Sequence, residues 1–185
     1  MKFEQDQFYH IYNRGNRHTR IFYSGDNYRY FLKKLKKHIS PFATILAYCL
    51  MPNHFHVLVY TSKALDENEL NHSIGVMLRS YTRAINKQES QTGSLFQSAT
   101  KAKLIKNCDT SLVCFNYIHL NPLKAGLIKK LRDWDYSSYL FYANSRKDEI
   151  VNREDTEAYL GIRLENYQED IQHYLPDEHT VKALF

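Results

Sequence analysis

Two histidines one residue apart, His54 and His56, stand in the stretch Asn53-His54-Phe55-His56-Val57-Leu58-Val59-Tyr60. Its β-branched and aromatic residues predict a strand, and Met51-Pro52-Asn53 ahead of it supplies turn chemistry. Alternate side chains of a strand share a face, so His54 and His56 point one way while Phe55, Val57 and Val59 point the other. The apolar stripe belongs to a core. The imidazole pair makes half of a divalent-metal site, preorganised by its fixed spacing. Two polar residues on the wet face of a sheet would produce the same pattern, because so short a motif recurs by chance.

A metal on an open sheet face suits phosphodiester chemistry, where it polarises the phosphate while a nucleophile attacks. The chain carries no Ser-His-Asp order, Walker loop or paired-carboxylate motif, which leaves tyrosine as the available nucleophile. Two tyrosines fall on expected helices. Tyr81 lies in the stripe Leu70, Ile74, Met77, Leu78, Tyr81, Ile85, whose spacings of three and four mark a core face. Tyr117 lies on a later helix, and Asn121 follows it by one turn on the same side. Together they would present a hydroxyl and an amide oxygen, the oxygen completing a two-histidine site. A packed Tyr117, with Asn121 only capping the helix before Pro122, fits the spacing equally. His119 points elsewhere on that helix and reads as structural.

The elements that must position these groups follow from periodicity. A strand over Gln7–Tyr12 ends in the basic loop Asn13-Arg14-Gly15-Asn16-Arg17. A helix capped by Asp26 runs to about Ile39, with Tyr30, Phe31, Leu35 and His38 inward and Lys33, Lys34, Lys36 and Lys37 outward. A strand over Thr44–Leu50 joins His54–Tyr60 as an antiparallel hairpin. A long helix from about Asp66 to Gln91 follows, then a strand over Ser98–Ile105 with Lys101 and Lys103 on one face. Asp109 is expected to cap a third helix, which Asn121-Pro122 stops near Leu120.

Strand, helix, strand, strand, helix, strand is the split βαβ, ferredoxin-like order of an α+β fold. Such an antiparallel sheet carries two helices on one face and keeps its first and third strands central. The His pair then lies on the face those helices leave open, and the tyrosine-bearing third helix is free to cross it.

At 185 residues the chain is one domain, or one domain with an appendage. No run of about 18 apolar residues exists, so no membrane span is expected, and the polar N-terminus is not a signal peptide. Three cysteines without CxxC spacing (Cys49, Cys108 and Cys114) fit a reducing cytoplasm better than disulfides or a zinc knuckle. The net charge of +5 hides an asymmetry: residues 1–145 hold 20 Lys+Arg against 10 Asp+Glu, whereas 146–185 hold 5 against 10. A basic body interleaved with many of the 15 tyrosines suits a polyanion, nucleic acid first. The sign change divides the chain into a body, 1–143, and an acidic tail, 144–185, with helical stretches at Asp155–Leu160 and Glu165–Leu175. If opposite charge draws that tail to the basic groove, truncation after Ser145 should raise DNA affinity.

Five stretches recur here in the order of one known family: Tyr12-Asn13-Arg14-Gly15-Asn16, Met51-Pro52-Asn53-His54-Phe55-His56, Gly93-Ser94-Leu95-Phe96-Gln97, Tyr117-Ile118-His119-Leu120-Asn121-Pro122, and Trp134 with Ser137-Ser138. Over about residues 5–142 the chain resembles the REP-associated tyrosine transposases, a branch of the single-tyrosine HUH transposases. The resemblance implies a ferredoxin-like nuclease acting on single-stranded DNA with a folded-back, REP-like hairpin, as a monomer or homodimer. It implies a divalent metal, Mg²⁺ or Mn²⁺, on His54 and His56. It further implies that Tyr117 attacks the scissile phosphate, leaving a 5′-phosphotyrosine and a free 3′-hydroxyl. Related enzymes carry Gln four residues after the tyrosine, where this chain has the shorter Asn121. Arg14, Asn16, Arg17, Lys101 and Lys103 are the expected DNA contacts. A hairpin-binding protein that no longer cuts, and a metal nuclease using water, are the competing readings.

Overall fold

Four strands pair in the order the split βαβ arrangement requires. In the computed structural model, which describes residues 2–61, 68–98, 100–174 and 181, β1 (Phe8–Arg14), β2 (Thr44–Met51), β3 (His54–Tyr60) and β4 (Lys101–Ile105) form one sheet. Their order is β2-β3-β1-β4 and every pairing is antiparallel. The register sets Tyr12 opposite His56 on one side and Lys101 on the other, with Cys49 opposite His56 across the hairpin.

Strand ends differ from expectation, and β2 runs one residue further, to Met51. β1 continues to Arg14, because Asn13 and Arg14 pair with Phe55 and His54. The chain reverses only at Gly15, where a Cβ would overlap the Thr19 carbonyl oxygen. The Gly15 N–H donates to the Asn53 carbonyl at 2.7 Å, tying this loop to the hairpin turn beside His54. β4 begins at Lys101 rather than Ser98. Ahead of it the Asn13 amide bonds the Thr100 hydroxyl at 2.8 Å and the Gln97 carbonyl at 3.3 Å, replacing ladder bonds. Residue 99 lies outside the described residues.

α1 (Gly25–His38) and α2 (Glu69–Gln88) cover the face bearing Phe55. Ser24, not Asp26, caps α1: Asn27 Oδ1 accepts the Ser24 N–H at 3.2 Å, while Asp26 pairs with Arg29 in the first turn. Along α1 it is Tyr28 that turns inward with Phe31 and Leu35, whereas Tyr30 rides on the boundary, 38% exposed over Tyr81. The expected start of α2 at Asp66 lies outside the described residues, and the helix ends at Gln88, three residues before Gln91. Tyr81 is a core residue, its ring 4.9 Å from Phe31 and its hydroxyl donating to the Ile21 carbonyl at 2.8 Å. Phe31 in turn meets Phe55 at 5.0 Å, which closes the aromatic core under the sheet.

The opposite face carries α3 (Cys108–Lys124), which crosses β2 and β3. Asn107 caps it, accepting from the Thr110 N–H at 2.8 Å, and Asp109 sits inside the first turn. The helix does not stop at Leu120. It runs through Pro122 to Lys124, although the proline forfeits the bond its N–H would make to the Ile118 carbonyl, and Ala125 still donates to the Asn121 carbonyl at 2.9 Å.

Beyond α3, residues 134–138 run along the outer edge of β2: Leu50 N–H donates to the Tyr136 carbonyl at 2.8 Å, and Ser138 N–H to that of Tyr48 at 3.0 Å. A covered edge strand is protected from pairing with another chain. A short α4 (Tyr139–Tyr142) leads into the acidic segment, where α5 (Arg153–Leu160) and α6 (Tyr167–Asp170) are the described helices. The tail helix expected to reach Leu175 stops at Asp170, and Leu175 itself lies outside the described residues. Val151, Leu160, Leu164, Tyr167 and Ile171 of this segment are buried in the same core as the sheet. All three cysteines are free. Among the described residues, no helix is long and apolar enough to cross a membrane.

Candidate active site

α3 crosses the sheet face that α1 and α2 leave open, His56 is only 5% exposed, and His54 is half-buried at the mouth of a cavity of about 340 Å³. β3 supplies His54 and His56 to its wall, and β1 supplies Tyr12, Asn13 and Arg14. Lys101 enters from β4, Gln97 from the segment before it, and Tyr117 and Asn121 from α3. The one-turn spacing of Tyr117 and Asn121 survives because α3 remains helical through Pro122.

The two imidazole rings lie 5.0 Å apart, nearly perpendicular at 81°. Tyr117 meets His56 edge-on, with centroids 6.4 Å apart. Second groups hold each ring in place. His54 Nδ1 lies 2.6 Å from the Asn53 amide oxygen, and His56 Nδ1 lies 2.9 Å from His10 Nε2. Asn121 Nδ2 donates to the Tyr117 carbonyl at 2.9 Å, which leaves Oδ1 as the acceptor of that amide. Lys124 Nζ sits 4.8 Å over the Tyr117 ring, and Lys101 Nζ lies 5.7 Å from the Tyr12 ring centroid.

Burial, with Arg14 nearby, pushes the His54 imidazolium down to about 4. Burial lowers His56 well below its ordinary value too, and His10, His54 and Arg14 add to the effect. Both rings are therefore neutral near pH 7, the form that binds metal. Burial raises the phenols of Tyr117 and Tyr12, so neither is an anion at rest. Among the described residues no carboxylate lines the cavity, while Arg14 and Lys101 do. The fixed charge there favours an anion with phosphate-like oxygens.

The donor set fits a hard divalent cation only in part. Among the described residues, no group of three or more His, Cys, Asp or Glu side chains is placed to hold a metal. Among the described residues, the two neutral imidazoles of His54 and His56 and the Asn121 amide oxygen are the donors that could hold such an ion, with the amides of Asn13 and Gln97 also in the wall.

Of the residues singled out from sequence, His54, His56, Tyr117, Asn121, Arg14 and Lys101 meet in this one cavity. Asn16 and Arg17 do not line it; they form a 3₁₀ turn just beyond Gly15. Lys103 lies two pairs further along β4, opposite His10, exposed and outside the cavity wall. His119 is structural: its Nδ1 meets the Tyr167 hydroxyl and its Nε2 the Ser138 hydroxyl, each at 2.7 Å. Sequence reasoning missed His10, Tyr12, Asn13, Gln97 and Lys124 as neighbours of the site. Alternation along β1 puts His10 and Tyr12 on one face, but only the β1–β3 register shows that this is the face of the His pair.

No family model matches the chain. A Haemophilus influenzae protein provisionally named a REP-associated tyrosine transposase is 29% identical over 110 aligned residues, covering 54% of this chain. The matched region spans about 60% of that relative's length. The fold is also that of a solved REP-associated tyrosine transposase bound to a REP hairpin, with a TM-score of 0.58 and 16% identity. That likeness covers 83% of this chain and 94% of the other.

Proposed function

We propose that this chain is a REP-associated tyrosine transposase, a metal-dependent enzyme that nicks and rejoins single-stranded hairpin DNA through a 5′-phosphotyrosine. The observation that carries this reading is the convergence of His54, His56, Tyr117 and Asn121, drawn from two distant segments, on one cationic cavity. The similarity to the Haemophilus protein and the shared fold support it.

In this reading Arg14 and Lys101 bind the non-bridging oxygens of the scissile phosphate and turn the phosphorus toward Tyr117. The Tyr117 oxygen forms a bond to phosphorus, the bond to the 3′-oxygen breaks, and that oxygen leaves as a hydroxyl carrying the proton the phenol gives up. One phosphodiester replaces another, so rejoining needs no external energy source. A Mg²⁺ or Mn²⁺ ion on His54, His56 and Asn121 would supply charge neutralisation at the phosphate. The Tyr12 ring on rigid β1 offers a surface on which an unpaired base can stack.

The test is a denaturing gel of the chain incubated with 3′-labelled hairpin-bearing single-stranded DNA and Mg²⁺ or Mn²⁺. A labelled band at the mass of protein plus DNA is expected. Cleavage without that band would mean a water-using nuclease. Binding without cleavage would mean a hairpin-binding protein.

A further inference from the structure

His10 is absent from the cavity wall, yet it is fully buried and touches one of the two imidazoles that wall is built on. On β1 it stands diagonally across from His56, whose direct partner is Tyr12. A diagonal neighbour on the same face is within reach of a long or aromatic side chain. The His10 ring lies 4.7 Å from that of Tyr12 and 5.1 Å from that of His56, and those two are 6.0 Å apart, so the three rings form a triangle. Its Nε2 lies 2.9 Å from His56 Nδ1.

Two neutral imidazoles can share that contact in only two ways. Either His10 donates and the proton of His56 sits on Nε2, or His56 donates from Nδ1 and its Nε2 keeps a lone pair. The first arrangement leaves His56 no nitrogen for a metal; the second supplies one. A histidine that binds a metal through one nitrogen is oriented by the acceptor its other N–H meets. His54 has an amide oxygen in that role, which accepts and cannot switch, because Asn53 Oδ1 carries no proton. His56 has a ring nitrogen instead, so its metal-binding form depends on the tautomer of a second histidine.

We propose that His10 is a positioning residue, which as its Nδ1–H tautomer accepts the His56 Nδ1 proton at Nε2 and so presents His56 Nε2 to the metal. This inference rests on the metal-dependent reading above. His10 does not itself line the cavity, so it acts through His56 rather than as a third ligand. The dependence is specific to one nitrogen: glutamine, whose amide oxygen sits near the position of Nε2, can accept the same proton, whereas leucine cannot.

Two measurements on the full chain test it, neither of them activity. Long-range ¹H–¹⁵N spectra of the histidine side chains in the Mg²⁺-saturated parent should show the protons of both His56 and His10 on Nδ1. A His56 proton on Nε2 in that state would overturn the proposal. Mn²⁺ titration followed by electron paramagnetic resonance should show binding to His10→Leu weakened roughly 10–100-fold, with His10→Gln restoring most of it. Unchanged binding by folded His10→Leu would overturn the proposal as well. If His10→Leu does not fold, the tautomer spectra of the parent decide alone. Failure of the underlying metal reading looks different: the parent takes up no Mn²⁺ that His54→Ala abolishes, and the proposal falls with it.

Discussion

Tyr117 and Tyr12 both line the cavity, and burial raises both phenols, so acidity does not choose between them. Position does. Tyr12 is fixed on a central strand with its ring stacked against His10, while Tyr117 projects from α3, edge-on to His56 and with Lys124 over its ring. Tyr117→Phe is expected to bind DNA and Mn²⁺ and to form no covalent adduct on a denaturing gel. Tyr12→Phe should still form it, and so should Tyr81→Phe, whose lost bond to Ile21 costs about 1 kcal/mol of stability. An adduct from Tyr117→Phe, or its loss only in Tyr12→Phe, would move the nucleophile to β1. His54→Ala, at the half-buried mouth, should keep its melting temperature within a few degrees and lose both cleavage and Mn²⁺ uptake. Normal cleavage by that variant would remove the metal from the mechanism.

At the scale of elements, the strand ends β1 and β4 bring Arg14 and Lys101 to one wall, and α3 brings the groups that face them. If both cations meet phosphate, Arg14→Ala and Lys101→Ala should each lower the slope of log affinity against log salt by about 1. Lys103→Ala, two pairs further along β4 and outside the wall, should change it less. Fluorescence anisotropy across a salt series reads all three. α3 also carries His119, which fastens the helix to Tyr167 and Ser138 and is held down to about 3 by burial. A histidine kept neutral in the fold takes up a proton only on unfolding once the pH drops below its ordinary 6.5. Its share of stability is therefore present above 6.5 and is lost as the pH falls toward 3. His119→Asn should be less stable than the parent at pH 7. Its stability should also fall less steeply from pH 6 to pH 4, by up to about 1.4 kcal/mol per pH unit. Urea melts with equal acid slopes in the two proteins would contradict this.

For the whole molecule, the acidic segment changes meaning once it is folded. No described residue of it lines the cavity, and its apolar side chains pack on α3 and β2 instead. Tyr159 stacks on Tyr60 at 4.1 Å, and the Thr156 hydroxyl meets that of Tyr142 at 2.8 Å. Five buried apolar side chains beyond Ser145 represent on the order of 10 kcal/mol of burial, an upper figure comparable with the whole stability of a domain. Truncation after Ser145 is therefore expected to leave an unstable or unfolded chain, visible as a lost or strongly lowered thermal transition, rather than a protein with tighter DNA binding. A truncated form that melts like the parent would show that the segment is dispensable to the core.

Local patterns were enough for the sheet, both cover helices and the His54/His56 pair, because alternation and three-to-four spacing depend only on residues a few positions apart. The core role of Tyr81 was legible for the same reason. Element ends were not. Ser24 and Asn107 outcompete Asp26 and Asp109 as caps, and α3 passes through Pro122, since each outcome turns on which single hydrogen bond is made at a terminus. The register of β1 against β3 was equally hidden, and with it the contact of His10 with His56 and the place of Tyr12 in the wall. The acidic segment misled for a related reason: net charge is long-ranged and visible in composition, whereas the packing of Tyr167 against His119 depends on shape and becomes definite only when α3 lies on the sheet. Residue types and spacing thus determined which groups could do chemistry, and tertiary structure decided which of them meet, because strand register and helix crossing alone set distances between residues far apart in the chain.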